Sequence, residues 1–479
     1  MTGISFIIAF VVAIGVMLLL ISRFKVHPFL SIMLIALALA VLAGIPLVQI
    51  PKVIGIGFSS TFTSIGIVII LGALIGIILE KTGAALSLAD AVIRLVGRRR
   101  PGIAIELMGW IVSIPVFCDS GFVILNPIRK ALASRTGASS VTLTVCLACG
   151  LYIAHVFIPP TPGPIAAAQT LGVGDNLLLV IGMGALCSVL PLIVGYIFAR
   201  WIGKRVKSED EQTSQNNNEK NNSTAISYEE LKASYGELPS AAASFAPILI
   251  PILLMALSSV AQMLKWSGKG ADLALFFGTP IMALAVGTVI AIVLLFRCKK
   301  GGEFFTLTNE TLKTVGPILF VTAAGSVLGK VIAESDLMSY ISAHASVLQT
   351  MGVFFPFLIA AIFKSAQGSS TVAITTTAGL IAPLLPALGF TTPEQISLAV
   401  MAIGAGAMTV SHANDSYFWV VTNFGELKVA DGYRTQTLMT LVVGLSSIAG
   451  IFLLSLFLPD YLRIWTKQDV LAPALKFFA

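Results

Sequence analysis

The 479-residue sequence is 56% hydrophobic and only 11% charged, with a formal net charge of +7 and a mean hydropathy of +0.94. A soluble domain carries about 25% charged residues, so this composition excludes a soluble globular protein and makes lipid the solvent for most of the chain. The basic excess therefore bears on membrane orientation, and no nucleic-acid partner is expected.

In chain order, the first apolar runs cover about 3–22, 28–46 and 61–80, each suited to a hydrocarbon core about 30 Å thick. No basic stretch precedes the first run and its charges follow it, so it reads as an uncleaved helix and not as a signal peptide. Two apolar arms, 103–134, then flank the small polar tip Cys118-Asp119-Ser120-Gly121. The run 141–170 is interrupted by Ile158-Pro159-Pro160-Thr161-Pro162-Gly163-Pro164, and a span at 175–202 follows. Residues 203–243 are polar and rich in Asn, the composition of a linker. The second half repeats the order: spans at 245–264, 273–297 and 312–333, arms 353–388 around Gly368-Ser369-Ser370-Thr371, a run 394–424 broken by Ser411-His412-Ala413-Asn414-Asp415-Ser416, and a span at 435–458. Cys118, Cys146, Cys149, Cys187 and Cys298 lie in or beside apolar runs without disulfide spacing. They read as small packing residues, and neither a metal nor another cofactor is expected.

The two proline or polar breaks lie about 252 positions apart, and Gly72 and Gly76 recur as Gly325 and Gly329 at an offset of 253. Each glycine pair precedes an amphipathic stretch, 84–96 and 337–348. Shared offsets for independent landmarks imply a duplication, with repeats 1–202 and 244–479. If each pair of arms is a re-entrant hairpin, each half crosses the membrane five times, and the odd number turns the second half over. The expected fold is an all-α integral membrane protein of two inverted-topology repeats, each with about five spanning helices, one of them broken, and one re-entrant hairpin. Arg98, Arg99, Arg100, Arg200, Lys204, Arg205 and most other basic residues fall on one face of that arrangement, against Lys52, Lys265, Lys269, Arg463, Lys467 and Lys476 on the other. The positive-inside rule then makes the 203–243 linker cytoplasmic and puts both termini outside.

Titratable side chains within the apolar runs are Glu106, Asp119, His155, Lys364, His412 and Asp415, and such groups are costly in lipid and usually functional. Broken helices expose N–H groups and a positive dipole end, and unwound backbone at membrane depth survives where it lines a cavity, so a carboxylate is the natural guest. The expected substrate-binding set is Ser120, Gly121, Thr161, Gly163, Lys364, Gly368, Ser369, Ser370, Thr371 and Asn414, with Asn126 as a further hydrogen-bonding partner. Lys364 either neutralises the substrate carboxylate or pairs with a carboxylate such as Asp415. Asp119 and Asp415 either carry a coupling proton or cap the broken helices, and His412 or His155 either relays protons or packs. Glu106 is expected at the membrane interface, outside the site. An intramembrane enzyme using Ser411, His412 and Asp415 would need adjacent residues in one break to orient as a triad, and a channel would need a ring of pore charges. Neither pattern fits, so a carrier is expected, driven by a proton gradient, with Na⁺ coupling as the alternative.

At these residues the chain resembles the gluconate permease family of bacterial carriers, within the ion transporter superfamily. The resemblance spans essentially the whole chain through His27-Pro28-Phe29-Leu30, Gly121-Phe122-Val123-Ile124-Leu125, Pro159-Pro160-Thr161-Pro162-Gly163-Pro164, Gly368-Ser369-Ser370-Thr371-Val372-Ala373 and Ser411-His412-Ala413-Asn414-Asp415-Ser416-Tyr417-Phe418-Trp419. It implies proton-coupled uptake of gluconate or a related small hydroxy acid across the bacterial inner membrane, with D-serine carried by some relatives. It also implies a homodimer of inverted repeats working by an elevator-like shift. Three positions depart from the common pattern: Asp119 stands where many relatives have Glu, Lys364 where many have Arg, and Thr161 where His is common.

Overall fold

The computed structural model describes residues 4–96, 100–209, 211, 233, 235–335 and 351–457. Among them there is no strand, as an all-α fold requires. The helices are α1 (Ile4–Ser22), α2 (Pro28–Leu42), α3 (Ile50–Thr61), α4 (Ile67–Lys81), α5 (Ala84–Val96), α6 (Pro101–Val112), α7 (Cys118–Thr136), α8 (Ser140–Phe157), α9 (Pro162–Thr170) and α10 (Leu177–Ile202). In the second half they are α11 (Ala241–Met263), α12 (Lys269–Gly278), α13 (Pro280–Arg297), α14 (Phe304–Ala333), α15 (Phe354–Gln367), α16 (Ser370–Ile381), α17 (Pro393–Met408), α18 (Ser416–Phe424), α19 (Val429–Gly432) and α20 (Leu438–Leu456). The second amphipathic stretch, 337–348, most of the linker, both chain ends, and Arg98 and Arg99 lie outside the described residues.

The expected interruptions fall where helices end. The arms of the first hairpin are α6 and α7, those of the second α15 and α16. The two broken helices are α8 with α9, and α17 with α18. The 12 residues of α6, 14 of α15 and 12 of α16 reach only about 18–21 Å at 1.5 Å per residue, short of a hydrocarbon core about 30 Å thick. Six helical stretches among the described residues are long and apolar enough to cross a membrane: 140–170, 174–202, 241–258, 280–297, 301–333 and 429–456.

Two spans are longer than their apolar pattern suggests. The run expected at 61–80 extends back to Ile50 through a π-helical turn at Phe62–Gly66, and the run expected at 312–333 begins at Phe304. The reason is common to both. Hydroxyls of Ser59, Ser60 and Thr63, and of Thr308, Thr311 and Thr314, donate to carbonyls three or four residues back, so these polar residues stay inside the helix without leaving unpaired groups. The 273–297 run is instead split at Thr279, where Pro280 starts a new helix.

The broken helices form the centre. Almost every side chain of α8 and α17 is buried, the signature of a helix with no lipid-facing stripe. Each is seated on the first arm of its own hairpin through a glycine: a Cβ at Gly150 would strike the Glu106 carbonyl of α6, and one at Gly406 the Phe357 carbonyl of α15. The second arms cross over, α7 packing on α18 and α16 on α9. Helices α10 and α20 pack on their own broken helices and on each other, while α2 and α3 lie on α14, and α13 on α4. The two ends of the linker are docked. Glu209 N–H donates to the Glu426 carbonyl at 2.9 Å, Ser140 N–H to the Glu211 carboxylate, and Ser87 to the Pro239 carbonyl at 2.7 Å.

Candidate functional site

The second hairpin turns at Gly368, whose φ of +88° is a left-handed conformation that favours glycine. The turn leaves no room for a Cβ, which would press on the Asn414 carbonyl. Ser369 then caps α16, accepting from Val372 N–H at 3.3 Å. One turn before the tip, Lys364 is fully buried, and its ammonium donates to the Gly368 carbonyl, to Asp415 Oδ2 at 2.6 Å and to Ser370 Oγ at 3.3 Å. Three donors thus meet three acceptors.

The second broken helix supplies the other side. Past Met408 the chain unwinds through Val410, at φ +61°, and is held by Ser411 N–H on Thr440 Oγ1 at 2.9 Å. Asp415 begins α18 as its cap, Oδ1 accepting from Tyr417 N–H at 3.1 Å while Oδ2 takes Ser411 Oγ at 2.5 Å along with Lys364. Asn414 is exposed and its amide donates to the Ser365 carbonyl at 2.9 Å, tying the break to the hairpin. From α8, Tyr152 OH lies 2.6 Å from Ser370 Oγ and 3.4 Å from Asp415 Oδ2, with its ring 5.6 Å from the Lys364 ammonium. The Tyr417 ring stacks 5.0 Å from that of Tyr152, and its hydroxyl donates to the Ala148 carbonyl at 3.0 Å.

The first hairpin completes the junction. Asp119 lies in the first turn of α7, with Cys118 Sγ 3.6 Å from Oδ2, Ser416 facing its carboxylate, and Asp415 and Lys364 as its charged neighbours. Its Oδ1 is buried with no hydrogen-bond partner, and so is Nδ1 of His155, whose ring packs 6.1 Å from Phe117 at the hairpin turn. Three helices, α7, α16 and α18, begin at these breaks, so three positive dipole ends are directed here. Ser369, Asn414 and Ser416 are exposed, with Asp119 and His412 half-buried.

Of the expected site residues, Lys364, Gly368, Ser370, Asn414 and Asp415 converge, and Asp119 stands beside them. Ser369 and Thr371 lie in the same turn. Ser120 turns toward Glu80 of α4, and Gly121 gives α7 room against the Leu151 side chain. Thr161 bonds back to the Ile158 carbonyl at 2.7 Å, and Gly163 packs on Ile374 of α16. His412 makes no side-chain hydrogen bond among the described residues. Asn126 accepts from Arg129 Nε at 2.7 Å, two turns along α7 from the tip, and is occupied there. Glu106 is not at the interface: it is 3% exposed between α6 and α8, with Cys149 beside it, because the first arm seats its inner face on the buried centre. Tyr152, Tyr417 and Gln367 stand outside the expected site set, and Ser411 entered it only as the nucleophile of the rejected enzyme reading. Gln367 is the residue before the Gly368 turn, and both polar atoms of its amide are buried and unpartnered. A separate cavity of about 380 Å³ opens between α3, α9, α14 and α16, lined by Ser60, Thr61, Gln169, Ser326 and Lys330.

Comparison with known proteins gives a consistent picture. The family described as GntP family permease matches residues 5–457. The inner membrane permease YgbN of Escherichia coli is 33% identical over 89% of this chain and 93% of its own, and the gluconate permease of Zymomonas mobilis is 28% identical over 91% and 94%. Among solved structures, the YdaH transporter of Alcanivorax borkumensis superimposes with a TM-score of 0.61 at 13% identity, covering 91% of this chain and 99% of that one.

Proposed function

The chain belongs to the GntP permease family, and from that premise we propose that it carries gluconate, or a related small hydroxy-carboxylate, into the cell together with a proton. It is a multi-pass inner-membrane permease for small acids, not an enzyme. The observation that carries the finer reading is the fully buried Lys364 paired with Asp415 at the meeting of three helix breaks. As it stands the pair is electroneutral. A substrate carboxylate that takes Asp415's place on Lys364 leaves one negative charge too many, and an uncompensated buried charge costs several kcal/mol. Protonation of Asp415, or of Asp119 beside it, removes that charge. Anion and proton therefore enter as a neutral set, and neither alone is tolerated.

Around the carboxylate, Ser369, Ser370, Thr371, Gln367 and Asn414 supply donors and acceptors for the hydroxyls of a sugar acid, and Thr161, Gly163, Ser120 and Gly121 shape the walls. His412, half-buried, is the relay between Asp415 and water. The two halves act as inverted repeats whose hairpins and broken helices shift together against α2–α4, α13 and α14, the linker on the cytoplasmic side and both termini outside. The helix bounds of the two halves recur at a near-constant offset, which supports this reading, and the carrier would work as a homodimer, as the sequence resemblance implies.

The test is uptake of labelled gluconate by proteoliposomes under an imposed pH gradient or an imposed Na⁺ gradient, with glycerate, D-serine and other small hydroxy acids as competitors. Accumulation is expected under inward-directed protons alone. Accumulation under Na⁺ alone would transfer the coupling to that ion, and D-serine outcompeting gluconate would change the substrate. No carboxylate accumulating under either gradient would sink the function.

A further inference from the structure

Where α6 and α8 begin and α10 ends, a groove of about 610 Å³ is lined by Arg100, Ser139, Thr142, Tyr196, Arg200 and Lys204. Arg100, Arg200 and Lys204 are exposed, and among the described residues none of the three enters an ion pair. Four cations elsewhere are matched, Lys81 with Glu310, Lys130 with Glu426, Lys330 with Glu334 and Arg434 with Asp431, while others such as Arg297 and Lys299 are likewise exposed; what distinguishes Arg100, Arg200 and Lys204 is that one groove gathers them. Three like charges gathered in one groove repel each other, and an anion relieves that repulsion. Arg200 lies over the Tyr196 ring at 5.8 Å from its centroid, and Tyr196 is seated so closely on the first turn of α6 that a Cβ at Gly102 would come 2.8 Å from the ring. Pro101 opens α6 behind Arg100, so the first-turn N–H groups of Gly102 and Ile103 lack intrahelical acceptors, adding the positive helix end to the cations.

The same groove runs into an apolar stripe. Val189, Ile193 and Ile197 are 53%, 53% and 60% exposed and fall one turn apart on α10, leading straight to Arg200. Trp201 beside them is exposed and carries the Arg205 guanidinium 3.9 Å over its ring, the arrangement of an aromatic anchor at a membrane interface. A soluble anion needs the cations but gains nothing from the stripe, whereas a lipid uses both.

We propose that this groove binds the phosphate headgroup of an anionic phospholipid, with Arg100, Arg200 and Lys204 on the phosphate and the acyl chains along Val189, Ile193 and Ile197. The shared chemistry, a phosphate oxyanion, also belongs to free phosphate. Occupancy would brace the starts of the first hairpin and the first broken helix, the two elements that carry Asp119 and Tyr152 to the candidate site.

The experiment compares the full-length protein in nanodiscs of phosphatidylcholine alone and of phosphatidylcholine with phosphatidylglycerol, reading lipid retention by native mass spectrometry and the thermal unfolding midpoint. Phosphatidylglycerol is expected to be retained and to raise the midpoint. The double variant Arg200→Gln/Lys204→Gln should weaken retention roughly 25-fold, about fivefold for each membrane-facing cation removed. Arg297→Gln/Lys299→Gln, on exposed cations outside the groove, should match the unaltered protein. Equal losses in the two double variants, or no preference for phosphatidylglycerol, would overturn the proposal. Full protection by millimolar inorganic phosphate in phosphatidylcholine discs would also overturn it, by making the ligand a soluble anion.

Discussion

Lys364 and Asp415 lie 51 positions apart, each the charged residue of its own break, and their burial makes each the other's condition for existing in the site. Lys364→Met strands Asp415 as a buried anion, a loss of about 3–5 kcal/mol in stability. Lys364→Met/Asp415→Leu removes both charges and recovers most of it, yet neither variant should carry substrate. Unfolding of the detergent-solubilised protein measures the first effect and substrate counterflow the second; a Lys364→Met protein that exchanged substrate normally would assign anion binding elsewhere. Asp119→Asn keeps the shape of the first hairpin and removes a proton acceptor, so counterflow is expected to persist while uptake loses its response to the pH gradient. Unchanged proton dependence would move that role to Asp415 or His412. These charged residues were legible because a charge in an apolar run stands out. Tyr152 and Tyr417 were not, since an aromatic in a membrane helix is ordinary, and what brings Tyr152 to Ser370 is a contact across 218 positions that no local pattern encodes; Ser411 was visible in its break, but its bond to Asp415 was not.

Helices end in this protein where the backbone has a reason to end, and that reason decides which boundaries can be read in advance. Prolines at 159, 160, 162 and 164 and glycine at 368 act on the backbone directly, so the breaks and the hairpin turns were legible. Ser59, Ser60 and Thr63, and Thr308, Thr311 and Thr314, look like polar boundaries but bond to their own helices, which is why α3 and α14 start earlier than their hydropathy suggests. The same distinction separates two glycines of the candidate site. Gly368→Ala would force a Cβ into a left-handed turn and against the Asn414 carbonyl, costing about 1–3 kcal/mol of local strain and, through displacement of the tip, roughly tenfold or more in uptake. At Gly121, in ordinary helical conformation, an added Cβ meets only the Leu151 side chain at 2.7 Å, which can move. Gly121→Ala should cost about 1 kcal/mol and keep most uptake. Comparing uptake of the two variants at matched protein levels tests whether Gly121 touches substrate or only spaces α7 from α8.

At the scale of the whole molecule the main helix contacts of the two halves correspond among the described residues, but the glycine pairs differ, and the difference bears on movement. First arms on broken helices, second arms on the opposite half, and α2 on α14 against α13 on α4 all recur in both halves. The glycine pairs do not. Gly325 and Gly329 of α14 lie against the backbone of α16 at Thr375 and Gly379, whereas Gly72 and Gly76 of α4 meet the turns of the first half, at the Pro160 and Pro115 carbonyls. The duplicated glycines were visible in sequence; their unequal partners were not, because they depend on how two bodies sit against each other. On the proposed inverted-repeat reading, an unequal fit has a counterpart with the roles exchanged: α7 would slide along Gly72 and Gly76, while Gly325 and Gly329 would face the turns at Gly368 and Ala413. On that reading the exchange opens or closes the cavity of about 380 Å³ whose lining includes Ala333 of α14 and Ala382 just past α16. Cysteines introduced at 333 and 382 on a Cys298→Ser background, the other four cysteines being buried, should therefore be bridged by a short thiol-reversible reagent. Bridging is expected to stop counterflow while leaving substrate bound from one side only, and reduction should restore transport. If bridged protein transported at the full rate, α16 would not move past α14, and the substrate's route across the membrane would have to run through the hairpin turns alone.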